Sequence, residues 1–96
     1  MICVVATIQV REHKAAEFES VALELEARVN ADEPGCLLYR MTKSRTEPNT
    51  YKNLEIFRDQ TALDQHTSAD YFLTAVGKLG ACLDGNPQVE FLDTLE

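Results

Sequence analysis

Residues 14 to 32 place Phe18, Val21, Leu25 and Val29 at helical spacing, with Glu17, Glu24 and Glu26 outside the stripe, and the pattern breaks at Glu33-Pro34-Gly35. Proline disfavours a helical conformation in the residue before it, so the helix must stop there. An alternation of period two follows directly, over residues 36 to 43, and another precedes the helix. In that first strand Ile2, Val4, Ala6, Ile8 and Val10 lie on one side, and Cys3, Val5, Thr7 and Gln9 on the other. One side is wholly apolar and the second mostly so, which calls for cover on both faces. A strand, an amphipathic helix and a second strand in close succession leave few architectures open.

The remainder of the chain narrows them further. Residues 36 to 43 and 51 to 58 read as two strands joined by the polar, proline-bearing link Ser44 to Thr50. Asp59 is placed to cap a short helix reaching His66, and Ser68 to cap another carrying Phe72, Ala75, Val76, Leu79 and Leu83. Gly85-Asn86-Pro87 ends that helix before a last strand. The order β, α, β, β, α, β, with no internal repeat, predicts an α+β fold of the ferredoxin-like, split βαβ kind. Its four-stranded antiparallel sheet has helices on one face and a bare second face. Assigning Val4, Ala6, Ile8, Leu54 and Ile56 to that bare face predicts an apolar patch that a partner's sheet would cover.

At 96 residues the chain reads as one domain, residues 1 to 96, burying around two thirds of the surface its unfolded form exposes. A formal charge of -7 with no basic cluster argues against nucleic acid and anionic membranes as partners. The apolar start has no basic leader and is interrupted by Gln9, so it reads as a strand and not a signal peptide. Cys3, Cys36 and Cys82 are far apart and odd in number, which suits reduced thiols in the cytoplasm and gives no zinc spacing. No G-x-G-x-x-G follows a strand and no cluster of metal-ligating residues stands out, so neither a dinucleotide cofactor nor a metal is expected.

The segments E-P-G-C-L-L-Y at 33 to 39, N-L-E-I-F at 53 to 57 and A-L-D-Q-H at 62 to 66, set between the opening and closing strands, resemble the antibiotic biosynthesis monooxygenase family. The resemblance covers nearly the whole chain. It implies a ferredoxin-like fold and a homodimer in which two sheets pack as a dimeric α/β barrel. Each subunit would keep its own pocket between sheet and helices. In relatives with oxygenase activity an asparagine and a tryptophan four residues later lie on the third strand; the matching positions here are Asn53 and Phe57, so the indole donor is replaced by a plain aromatic wall. In haem-degrading relatives the ligating histidine falls where this chain has Val76, and the first-strand asparagine matches Thr7, so no haem is expected.

Asn53, Glu55 and Phe57 lie two apart on one strand and share a face. A buried amide and carboxylate beside an aromatic ring can orient a phenolic hydroxyl and withdraw its proton. The same trio could instead be structural, with Glu55 paired to Lys52 or Arg40 and Phe57 in the core. His66 ends the short helix beside its inward stripe and is the best single base in the chain, although a histidine there can equally serve the last carbonyls. Tyr39, Tyr71, Phe72 and Thr7 complete the candidate substrate contacts. The three thiols, lacking a neighbouring base, read as structural, and Gly77 and Gly80 as room for a ligand or for close helix packing.

Three functions follow from these readings. The first, implied by the resemblance, is a cofactor-independent monooxygenase that oxidises a small quinol or other electron-rich aromatic with molecular oxygen. The second is an isomerase or tautomerase of a small ketone, with Arg40, Lys43 and Lys78 as candidate phosphate contacts. The third is a non-catalytic dimeric module that binds a ligand without turning it over.

Overall fold

The computed structural model describes all 96 residues. Strand β1 (Ile2–Gln9) leads through a 3-10 turn at Glu12–Lys14 into helix α1 (Ala15–Asp32). Strands β2 (Cys36–Lys43) and β3 (Thr50–Phe57) form a hairpin, followed by helices α2 (Gln60–Ser68) and α3 (Asp70–Gly80) and strand β4 (Gln88–Asp93). The strands lie in the order β2-β3-β1-β4, every neighbouring pair antiparallel. This is the ferredoxin-like α+β arrangement that the order of periodicities predicts.

Local chemistry explains most of the boundaries. The α1 stripe buries Phe18, Ala22, Leu25 and Val29, so Ala22 takes the place predicted for Val21. Glu33 closes the helix through its N–H to Val29 O at 3.0 Å, and Pro34 prevents continuation. In the β2–β3 link, Ser44 Oγ accepts from the backbone N–H of Thr46 and Glu47, and Asn49 adopts a left-handed φ of 54° that asparagine tolerates well. Asp59 caps α2 as expected, accepting from Ala62 N at 2.9 Å. Ser68 does not cap α3. Its hydroxyl turns back to Asp64 O within α2, and Ala69 precedes α3 without a side-chain cap. Helix α3 also ends earlier than its apolar stripe suggests, so Leu83 lies outside it and bridges Val10.

Register overturns one expectation about the sheet. Residues paired across antiparallel strands point to the same side, and Val4, Ala6 and Ile8 pair with Glu55, Asn53 and Tyr51. They therefore face the helices. The open face carries Cys3, Val5 and Thr7 from β1, Leu54 and Ile56 from β3, and Leu38 from β2. Strand β1 is apolar on both sides, so its own sequence could not show which side the helices take, whereas β3 alternates and could have.

The packed interior lies under α1 and α2. One cluster joins Ile8, Val10, Phe18, Ala22, Tyr51 and Cys82, a second Val4, Phe57, Ala62 and Leu63, and a third Leu25, Val29 and Tyr39. Gly35 sets how closely α2 lies on the sheet: a Cβ there would come within 2.6 Å of Ala62 Cβ, so only glycine lets the start of β2 pass beneath the helix. By contrast α3 contains no buried residue and every residue of β4 is exposed. Gly77 and Gly80 have open space where a Cβ would stand, so close packing does not account for either.

Candidate active site

Between the helix-facing side of the sheet and the helices lies a cavity of about 660 Å³. Its lining is mostly apolar, with Asn53, Glu55, Tyr39, His66 and Thr67 among the few polar contributors and no Lys or Arg. The centre of the polar set is His66, which is 1 % exposed and held among the rings of Tyr39, Phe57 and Phe72 at centroid distances of 5.2, 5.1 and 4.3 Å. Its Nδ1 lies 3.1 and 3.0 Å from the two carboxylate oxygens of Glu33. A carboxylate accepts, so Nδ1 donates to Glu33, and a ring with its single proton there presents its lone pair at Nε2. That nitrogen has no hydrogen-bond partner in the chain and stands 3.9 Å from Glu55 Oε1.

Glu33 is the site residue that the sequence reading passed over. It follows the last turn of α1, where Pro34 forces the chain to turn, and the close seating of α2 at Gly35 brings His66 against it. Tyr71 donates its hydroxyl to the same carboxylate, and the Arg28 guanidinium lies 4.3 Å over the Tyr71 ring. In the sequence Glu33 served only as part of a helix stop. The one available signal was a charged side chain immediately before Pro-Gly, with no reason yet to direct it inward.

On β3, Asn53 Nδ2 donates to Glu55 Oε2 at 3.1 Å, and both side chains are buried. Burial pushes the Glu55 carboxyl up to about 7; the Asn53 hydrogen bond opposes the rise and the Glu33 charge adds to it. Lys52 and Arg40 point to the other side of the sheet in register, so the predicted alternative of a cross-strand ion pair at Glu55 is not formed. Asn53 Oδ1, like His66 Nε2, is buried without a partner in the chain. Burial also raises the Tyr39 hydroxyl far above the usual phenol range, helped by the Glu55 charge, so Tyr39 remains a neutral donor. The Cys36 thiol is pushed up to about 11 by burial and by Glu33, which makes it a poor nucleophile.

The structure thus brings His66, Glu55, Asn53, Tyr39 and Phe72 to one cavity. It does not bring the other three candidates there. Phe57 is fully buried behind His66 and belongs to the core cluster with Val4, Ala62 and Leu63. Tyr71 acts on the far side of Glu33 and is not part of the wall. Thr7 pairs with Lys52 and lies on the open face of the sheet, one residue out of phase with the cavity.

Comparison with known proteins agrees with this architecture. The family model described as antibiotic biosynthesis monooxygenase matches residues 1–78. The chain belongs to the antibiotic biosynthesis monooxygenase family. A crystal structure from Caulobacter crescentus CB15, described as a candidate member of this family, is 48 % identical with a TM-score of 0.96, covering 99 % of this chain and 90 % of that one. A conserved protein from Methanosarcina mazei Go1 is 31 % identical with a TM-score of 0.89, over 95 % and 89 % of the two chains. The uncharacterized protein sll1783 of Synechocystis is 32 % identical over 77 residues, which are 80 % of this chain and 52 % of that protein. The chain therefore spans about half the length of this curated relative. The family match ends within α3, so β4 lies beyond it.

Proposed function

We propose that this protein is a monooxygenase that oxidises a quinol or similar electron-rich hydroxyarene with molecular oxygen and without a cofactor. The observation that carries the reading is His66 Nε2: an imidazole nitrogen buried at a cavity wall, without a partner in the chain and with its other nitrogen held by Glu33. In this scheme Nε2 takes the proton of a ring hydroxyl. The resulting arenolate transfers its electrons to oxygen, and a C–O bond forms at a ring C–H carbon. Imidazolium returns the proton to the peroxide oxygen. Loss of the C–H proton as the O–O bond breaks leaves a carbonyl and releases water, so quinol and oxygen become hydroxyquinone and water. The substrate supplies all four electrons. Asn53 Oδ1 is suited to accept a hydrogen bond from a substrate hydroxyl, Tyr39 to donate one, and the neutral form of Glu55 keeps a second negative charge away from the arenolate. Apolar walls exclude water while that anion exists.

The lining also bears on the ketone isomerase. Arg40 reaches to Glu26 at 3.6 Å, Lys43 to Glu19 at 3.1 Å, and Lys78 is exposed, so no cation in the cavity is available for a phosphate. We place the protein in the cytoplasm as a homodimer formed through the open face of the sheet. Three free thiols and the half-buried Val5, Leu38, Leu54 and Ile56 support these assignments. No helix is long and apolar enough to cross a membrane. Oxygen uptake by protein stripped of metal and flavin, measured across a panel of quinols and anthrones, tests the proposal. Turnover that survives chelation and shows no flavin absorbance is the expected result. Strict dependence on added metal or reduced flavin overturns the cofactor-free mechanism, and tight binding without uptake favours a ligand-binding module.

A further inference from the structure

The cavity is far larger than the chemistry at His66 requires. A void of about 150 Å³ holds a single benzene ring, whereas this cavity measures about 660 Å³. The sheet register shows where the excess lies. Tyr39, Glu55, Val4 and Phe91 form one row straight across β2, β3, β1 and β4, and Met41, Asn53, Ala6 and Val89 form the next. All eight line the cavity. Each row runs from polar groups on β3, over small or branched apolar floor on β1, to an apolar residue on β4. Two interstrand steps separate β3 from β4, about 10 Å.

The β4 end differs in exposure as well as in chemistry. Phe91 is 62 % exposed and Val89 49 %, and Val76 on α3 is 44 % exposed, although all three line the same cavity as the buried Asn53 and Glu55. Such apolar surface, continuous with a pocket whose other end is polar, is covered when an elongated amphipathic ligand lies along it.

We propose that the substrate is a hydroxyarene bearing an apolar substituent on the part of its ring turned away from the reacting hydroxyl, and that Phe91, Val89 and Val76 form the subsite for that substituent. With the hydroxyl at His66 and Asn53, the ring lies over Val4 and Ala6, and the substituent reaches β4. This inference rests on the proposed use of the cavity as a hydroxyarene site and adds which hydroxyarenes it selects.

The test is anaerobic calorimetric titration with 4-alkylphenols from methyl to octyl, which bind without turning over. Affinity should rise two- to fourfold per methylene, the upper figure corresponding to the ~0.8 kcal/mol of a fully buried methylene. It should level off after about five or six carbons, because β4 is the edge strand and the wall ends there. Phe91→Ser should flatten the rise, and Val76→Ser, from the opposite wall, should do so independently. A flat series in the native protein overturns the proposal. So does a rise that both variants leave intact, or a Phe91→Ser variant that changes molar mass in light scattering while keeping the native slope, since Phe91 would then serve a subunit contact. The outcome is separable from the oxygenase reading. Uptake with short quinols but no chain-length effect removes only the subsite, and a chain-length effect without uptake on any quinol removes only the oxygenase.

Discussion

The face of the sheet that the helices cover carries Asn53, Glu55 and Tyr39, whereas the face they leave open carries Val5, Leu38, Leu54 and Ile56. A stable monomer would distribute these residues the other way. Burying a carboxyl and an amide that is only partly hydrogen-bonded is costly, and leaving branched apolar side chains toward water forgoes stabilisation of about 25 cal/mol per Å². The inner face therefore gives up stability for a pocket with polar groups in its wall, and the outer face for an apolar surface suited to a second subunit. The comparison assigns different failures to the two faces: substitutions inside should remove activity, and substitutions outside should remove assembly.

The largest effect is expected inside. His66→Gln keeps much of the shape and some hydrogen bonding to Glu33, so kcat/KM should fall by about a hundredfold or more while the melting temperature changes little. A loss of stability at full activity would instead make His66 a structural plug. On the outer face, Ile56→Lys should dissociate the proposed dimer or unfold the protein, because an unpaired charge in an interface costs several kcal/mol. Unchanged molar mass in light scattering would show that this face is not the interface.

Glu55 offers a finer test of the inner face. In the folded protein its carboxyl stays neutral up to about pH 7, compared with an ordinary 4.5. Between those values the folded chain binds the extra proton, so the stability linked to Glu55 is complete below about pH 4.5 and is lost as pH rises through 7. The loss is on the order of 3 kcal/mol. Glu55→Gln should flatten that portion of the denaturation midpoint against pH, and an identical slope in the variant would place the carboxyl in a wetter site than its burial indicates. Tyr71→Phe should be the mildest, costing about 1 kcal/mol through its lost bond to Glu33. Its activity should remain within a few-fold of the native value, since Glu33 still holds His66; a loss as deep as that of His66→Gln would move Tyr71 into the proton path itself.

Periodicity in the sequence was enough to determine the order of elements, the stop at Pro34-Gly35, the Asp59 cap and the sharing of a face by Asn53 and Glu55. Each depends on neighbours a few residues apart, where backbone geometry leaves little choice. What lay beyond it was decided by contacts between distant segments. Which side of β1 the helices take follows from its register with β3, since β1 is apolar on both sides. Thr7 fell outside the site and Phe57 behind it for the same kind of reason: a residue type and its phase on one strand do not say how deep the next layer lies. Glu33 and His66 are 33 positions apart and meet only because glycine at 35 lets α2 settle onto β2. The apolar row ending at Phe91 exists only once β4 has paired beside β1. The chain alone specifies local shape because that shape is set within a turn or a strand; the surroundings of the His66 imidazole and the depth of its pocket depend on packing between elements, which no single stretch of sequence contains.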